Sequence, residues 1–302
     1  MPYDVVIIGG GPAGLSAALA LGRARKKVLL CDSGPRRNQR AAHLHNFVTR
    51  DGTPPEEFRQ IGRQQLAHYP NVEVRDLRID SISGAKGDFQ LKSSQGELEA
   101  RRVILCVGMI DEPPAIEGFQ ELWGYAIFQC PYCHGWEVKE RPWGYLARDL
   151  AMLQFAIMLR GWSKEVTVFT GGAFELPPEQ RAHLEGAGIR VETTPVVRLV
   201  HQGLALQGLA LSDGRSVACE ALFIHPSQRH VDVVAALRLS LDQDGLVKVD
   251  PMTRETSIPG VYAAGDLCTR AQGAMFAAAA GTHAAGMVNH ELTAALVMQG
   301  LL

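Results

Sequence analysis

Val5-Val6-Ile7-Ile8-Gly9-Gly10-Gly11-Pro12-Ala13-Gly14 decides how the rest of the chain is read. Four consecutive apolar residues, Val5 to Ile8, are what a strand buried on both faces of a parallel sheet presents. A glycine-rich turn follows, and Leu15 to Arg25 has a helix-forming composition. Val28 to Cys31 reads as the next strand and ends in Asp32, which completes a β-α-β start. Gly9, Gly11 and Gly14 spell GxGxxG between strand and helix, and Asp32 stands eighteen residues beyond Gly14. In such a turn the first glycine permits the tight bend. The second lets backbone approach a pyrophosphate, and the third lets the helix pack closely on the sheet. Free N–H groups and the positive dipole end of the helix then face the phosphates. The Asp32 carboxylate is placed for ribose hydroxyls, and Pro12, Ala13 and Ser33 belong to the same candidate dinucleotide site.

Outward from this stretch, the composition narrows the class. The 302 residues allow about two domains. Hydrophobic residues make up 46% and charged residues 21%, the balance of a globular protein rather than a disordered or fibrous one. A net charge of −2, from 30 basic and 32 acidic residues, provides neither a nucleic-acid footprint nor a polybasic membrane face. No apolar run approaches the ~20 residues of a membrane helix. No basic leader precedes the strand at Tyr3 to Ile8. Six cysteines are too sparse for a disulfide scaffold, and a cytoplasmic location is expected.

Val72 to Val107 is rich in strand signals, and Asp111-Glu112-Pro113-Pro114 reads as a linker. The pattern then restarts, with strands at Trp143 to Leu146 and Glu165 to Phe169 and a helix at Leu150 to Leu159. Further strands are expected at Leu246 to Val249 and Val261 to Ala264, before an Ala-rich helix from Ala274 to Met298. Two β-α-β-type units about 130 residues apart predict an α/β fold. Its two Rossmann-like domains are arranged with the second inserted into the first.

Near the far end, Thr256-Ser257-Ile258-Pro259-Gly260-Val261-Tyr262-Ala263-Ala264-Gly265-Asp266 resembles the second FAD motif of two-dinucleotide-domain flavoproteins. There the aspartate binds the ribityl–phosphate region. Together with GxGxxG this makes FAD the expected cofactor, with NAD the alternative at the first site. The helix beginning near Gln272-Gly273-Ala274 would aim its N-terminus at the flavin.

Cys130-Pro131-Tyr132-Cys133, followed by His134, is the one close cysteine pair. Two thiols at this spacing close and reopen a small disulfide by thiolate exchange. The same letters fit a c-type haem attachment site, a zinc half-site or a structural pair. Haem attachment goes with export, and zinc needs further ligands, so redox chemistry is the favoured reading. Cys31, Cys106, Cys219 and Cys268 stand singly in or beside apolar runs and read as buried small hydrophobes. His225 and His230 follow a strand and are candidates to line a site.

The two glycine-rich motifs with a CxxC between them resemble low-molecular-weight thioredoxin reductases, of the class II pyridine nucleotide-disulfide oxidoreductase family, over essentially the whole chain. The resemblance implies a split FAD domain, 1–111 and 246–302, around an inserted NADPH-type domain, 112–245, that carries the dithiol. It also implies a homodimer, with Cys133 as the thiol that reacts with the flavin and Cys130 as the one that exchanges with substrate. Asn46 and Gly108 fall at positions that the family places near the flavin.

Two departures matter. The second glycine fingerprint, expected after Trp143 to Leu146, is replaced by Ala147-Arg148-Asp149-Leu150-Ala151-Met152. The basic cluster for a 2′-phosphate is replaced by Thr170-Gly171-Gly172-Ala173-Phe174-Glu175. NADPH binding in the usual way is therefore not expected. His134 stands where thioredoxin reductases carry an aspartate, which resembles the dithiol oxidases of the group. It is a candidate to move protons near neutrality. The expected function is an FAD-dependent thiol/disulfide oxidoreductase that relays electrons between Cys130/Cys133 and FAD. Its substrate is a thioredoxin-like protein or a small dithiol or disulfide, and ferredoxin or a second flavin is a possible donor. The alternatives are a dithiol oxidase using oxygen and a flavin redox sensor without turnover.

Overall fold

The computed structural model describes residues 2–301 and divides the chain into two compact units. One runs to Gln39, resumes over Asn46–Ile110 and takes up everything from Arg229 onward; the other holds Arg40–His45 and Asp111–Gln228. In the first, β1 (Tyr3–Ile8) leads through the glycine turn into α1 (Pro12–Arg23) and β2 (Val28–Asp32). The helix begins at Pro12, earlier than composition alone places it, because proline's fixed φ and missing N–H suit the first helical position. It stops by Arg25, which takes a left-handed φ of 62°. Next come α2 (Pro55–Leu66), β3 (Val72–Asp76), β4 (Ile79–Ala85), β5 (Asp88–Ser93) and β6 (Gly96–Leu105). The sheet order is β3-β2-β1-β6-β5-β4. The β1 strand runs parallel to both neighbours, with Val5 opposite Val28 and Arg102. The hairpin β4–β5 joins the early part of β6 antiparallel.

The chain leaves through β7 (Ile110–Glu112) into the second unit. There α3 (Phe119–Leu122), β8 (Ile127–Phe128) and α4 (Pro131–His134) precede β9 (Trp143–Leu146). A single 3₁₀ turn, Leu150–Met152, leads into α5 (Leu153–Leu159), so the helix expected from Leu150 starts tighter than predicted. Then follow β10 (Val166–Phe169), α6 (Pro178–Gly186), β11 (Ile189–Glu192), β12 (Val196–Gln202), β13 (Ala205–Leu211), β14 (Ser216–Ala218), β15 (Ala221–Ile224) and β16 (Ser227–Arg229). Five strands make a parallel sheet in the order β11-β10-β9-β15-β8, while β12, β13 and β14 form an antiparallel layer. The chain order reverses at β9, so the crevice beyond its carboxyl end is where a doubly wound sheet takes a ligand.

Back in the first unit come α7 (Asp232–Ala236), β17 (Val261–Ala263), parallel to β6, and α8 (Ala274–Met298). No strand forms at Leu246 to Val249. Leu246 and Val247 instead pack into one core with Val233, Val234 and Leu239. That packing is why the first unit reaches back to Arg229, earlier than the sequence reading's 246. Arg40–His45 joins the second unit through the Arg40 guanidinium, which donates to the Gln120 carbonyl, and through His45, 3.5 Å from Glu137. Helix α8 packs a face of small residues, Ala277, Gly281, Ala284 and Ala285, into the core that also takes in α1. No helix among the described residues is long and apolar enough to cross a membrane.

Candidate active site

In the first unit the glycines divide the labour expected of them. Gly9 has a φ of +107°, and a Cβ there would run into the Cys106 carbonyl just beyond β6. One on Gly14 would overlap the Gly9 carbonyl oxygen, so turn and helix touch backbone to backbone. Gly11 differs: nothing lies within 4 Å of the place its Cβ would take. As the N-cap of α1 it offers no side chain to the first-turn N–H groups, and that turn holds no acidic residue. These donors and the space over Gly11 suit the pyrophosphate of FAD.

Asp32, only 4% exposed, sits against Gly10 at the end of β2. It accepts from the Gly34 N–H at 3.1 Å and pairs with Arg59 at 2.7 Å, which keeps its charge compensated. Ser33 beside it is exposed. Gly265, with a φ of +82°, brings its chain to 3.2 Å from Ala13 by the same Cβ measure. Asp266 pairs with Arg37 at 3.1 Å, and Arg37 also donates to Gln272, just before Gly273 and Ala274 at the start of α8. The two motifs therefore share one side of the first unit. Gly108, with a φ of +65°, faces open space just beyond β6, and Asn46 lies on a loop where its N–H donates to Asp51 at 2.8 Å.

In the second unit Cys130 and Cys133 form a disulfide with their Cα atoms 5.2 Å apart. Cys130 is the N-cap of α4, and the Cys133 N–H donates to its sulfur at 3.2 Å, a contact that favours a thiolate at Cys130 once the bond opens. Gly135 follows the turn at a place with no room for a side chain: a Cβ there would strike the Pro131 carbonyl oxygen and press on Trp162 and Trp143, at 3.0 and 3.1 Å. Of the aromatic residues around the pair, Phe128 and Trp143 are core, whereas Tyr132 and Trp136 are 62% and 70% exposed. Lys139 lies 3.1 Å from the centre of the Trp136 ring.

His134 stacks on Phe128 with ring centres 4.5 Å apart and planes 15° apart. Both its ring nitrogens are buried without a hydrogen-bond partner. Burial pushes the imidazole down to about 4, against a smaller upward pull from Glu137 and a downward one from His45. At neutral pH it is an uncharged base. The unfolded chain therefore takes up this proton near pH 6.5 and the folded chain only near 4. Stability should fall as pH drops through that window, by up to about 3 kcal/mol, and level off below it. Urea unfolding of His134→Gln should remove that part of the slope. Parallel curves for variant and wild type would mean that another group carries the acid sensitivity.

At the switch point of the second sheet, side chains bond to neighbouring groups of the same unit. Asp149 caps the 3₁₀ turn, its carboxylate accepting from the Met152 N–H at 3.0 Å. Arg148 donates to the Ser227 hydroxyl. Tyr145 meets His225 at 3.2 Å, and His225 packs edge-on against Phe155. His230 belongs to the first unit, where it meets the Gly245 carbonyl at 2.8 Å. Sequence reasoning missed Arg37, Arg59 and Gly281. Only Gly281, a glycine within an alanine run, carried a local signal; a Cβ there would strike the Ala13 carbonyl.

A family model described as pyridine nucleotide-disulphide oxidoreductase matches residues 3–284. Thioredoxin reductase sirT of Leptosphaeria maculans is 31% identical over 311 residues, covering 96% of this chain and 94% of its own. Thioredoxin reductase of Aquifex aeolicus is 27% identical, with 96% and 94% covered. The crystal structure of an oxidoreductase from Agrobacterium tumefaciens superposes with a TM-score of 0.90 at 38% identity, covering 97% of this chain and 99% of that one.

Proposed function

The chain belongs to the pyridine nucleotide-disulphide oxidoreductase family as an FAD-dependent, thioredoxin-reductase-like enzyme, and we propose that it oxidises dithiols to disulfides without a nicotinamide partner. One contrast carries this reading. The α1 turn leaves its amides and the space over Gly11 open, whereas the matching turn of the second unit has its own carboxylate, Asp149, on the Met152 amide.

Gly9, Gly11, Gly14 and Asp32 on one side, and Gly265, Asp266, Gln272, Gly273 and Ala274 on the other, would hold the cofactor, with Asn46 and Gly108 toward the ring. When bound, FAD supplies a two-electron acceptor for the reduced cysteine pair. His134, neutral at working pH, takes the proton of an incoming thiol. The resulting thiolate attacks Cys130 Sγ; the Cys130–Cys133 bond breaks, and its electron pair leaves on Cys133. The second substrate thiol, its proton released to solvent, then attacks the substrate sulfur of the mixed disulfide and expels Cys130 as thiolate. Substrate leaves as a disulfide, and the enzyme holds two electrons in its pair. With oxygen as terminal oxidant, one dithiol and one O2 give one disulfide and one H2O2. The same residues run in reverse would reduce a thioredoxin-like protein or another disulfide, drawing on ferredoxin or a second flavin. A homodimer belongs to this reading and rests on the family resemblance, and a cytoplasmic location rests on the sparse cysteines.

Anaerobic titration of the flavin's visible band tests it. A small dithiol such as dithiothreitol should bleach the band stoichiometrically, NADPH should leave it, and readmitted oxygen should restore it. Bleaching by one equivalent of NADPH would overturn the claim about Asp149.

A further inference from the structure

Catalytic histidines are ordinarily aimed by a hydrogen bond from one ring nitrogen to a carboxylate or carbonyl, which also fixes the tautomer. His134 has no such bond: both nitrogens are buried and unpartnered. Its one close ring contact is the parallel stack on Phe128, which is itself anchored. Phe128 ends β8 at 5% exposure and leans on Phe223 at 5.8 Å, and Phe223 lies 4.5 Å from Trp143 in the sheet's core. We propose that Phe128 is a positioning residue, whose stacked ring orients His134 in place of a hydrogen-bonded partner and leaves both ring nitrogens available for proton exchange. The proposal rests on the reading of His134 as the proton carrier.

Two consequences follow from the geometry. An imidazole held by its face changes tautomer without breaking a hydrogen bond, so it takes a proton at one nitrogen and gives one up at the other without flipping. The apolar ring also keeps water from that face and so keeps the imidazole neutral. The charged and titratable groups that face His134 are Glu137, just beyond α4, and His45, from the segment that joins this unit; these two lie 3.5 Å apart.

Phe128→Leu keeps apolar volume and removes the stack. The rate of anaerobic flavin bleaching by dithiothreitol is measured in the holoprotein from pH 3 to 8.5. Variant-to-wild-type ratios cancel the ionisation of the reagent. Phe128→Leu should slow the maximal rate roughly tenfold to a hundredfold with little change in the dithiothreitol concentration at half-saturation. Its acid limb should move up by roughly one pH unit, because water reaches the imidazole face. Phe128→Tyr, which keeps the stack, should restore both. Flavin content and the count of free thiols on both proteins exclude misfolding. An unchanged pH profile in Phe128→Leu, or equal loss in Phe128→Tyr, would overturn the proposal. His134→Gln run alongside separates the two claims. A full rate there removes the proton-carrier reading, whereas a slow His134→Gln beside a normal Phe128→Leu removes only the role of Phe128.

Discussion

Cys133→Ser should lower dithiol-driven flavin bleaching by at least about a thousandfold while FAD stays bound. Serine neither forms the disulfide nor leaves as a thiolate, so the two-electron step has no carrier. None of the other cysteines can substitute. Burial pushes the thiols of Cys31, Cys219 and Cys268 up to about 12 and that of Cys106 higher still. At neutral pH they hold almost no thiolate. The roles assigned to the pair also predict an asymmetry. With Cys133 gone, Cys130 still attacks a substrate disulfide, but nothing resolves the product. A mixed disulfide on Cys130 should accumulate and appear by intact mass as one added substrate fragment. Cys130→Ser should be as slow and form no such adduct. A full bleaching rate in Cys133→Ser would refute the exchange mechanism, and adducts on both variants in equal yield would refute the division of roles.

The second large effect belongs to the α1 turn and takes two variants to read. In Gly14→Ala the new methyl overlaps the Gly9 carbonyl oxygen, a backbone atom that cannot rotate away. Either α1 lifts from the sheet or the turn deforms, and overpacking of this kind costs about 1–3 kcal/mol or more. Gly14→Ala should therefore lose both FAD and thermal stability of the apoprotein. Gly11→Ala meets no protein atom, and its φ of −77° is open to any residue, so the apoprotein should melt within a few degrees of wild type. Its methyl nonetheless occupies the space proposed for the pyrophosphate. FAD affinity, followed by fluorescence quenching on titration, should drop at least about a hundredfold, a loss of roughly 3 kcal/mol. Wild-type affinity in Gly11→Ala would mean that the pyrophosphate lies elsewhere.

Much of this architecture is legible because its signals are local. Val5 to Gly14 couples an apolar run to a glycine turn, and β1 and α1 form there; Trp143 to Leu146 and Ala274 to Met298 are likewise elements at the expected residues. The nucleotide candidates on GxGxxG and on the Gly265-Asp266 motif fall in one unit for the same reason. What escaped the sequence depends on partners far along the chain. Arg37 meets Asp266 across 229 residues, and Arg59 meets Asp32 across 27, and nothing near either arginine announces its partner. Leu246 to Val249 has strand composition, but its buried residues answer to Val233 and Val234 rather than to a sheet edge. By sequence position alone Phe128 is one more aromatic residue near the cysteine pair. Only the coordinates separate it, stacked on His134, from Tyr132, turned to solvent.

The cap at Asp149 recasts nucleotide choice as a competition. A carboxylate tethered beside its own N–H donors acts as a ligand present at an effective concentration of millimolar or more, never diluted and never diffusing away. Any phosphate arriving at that turn must displace it and must also place a second negative charge next to the first. On the function proposed here, the unit carries its own antagonist. On that proposal, a side chain already seated on a turn N–H weighs against a dinucleotide there while the flanking strands keep their parallel register.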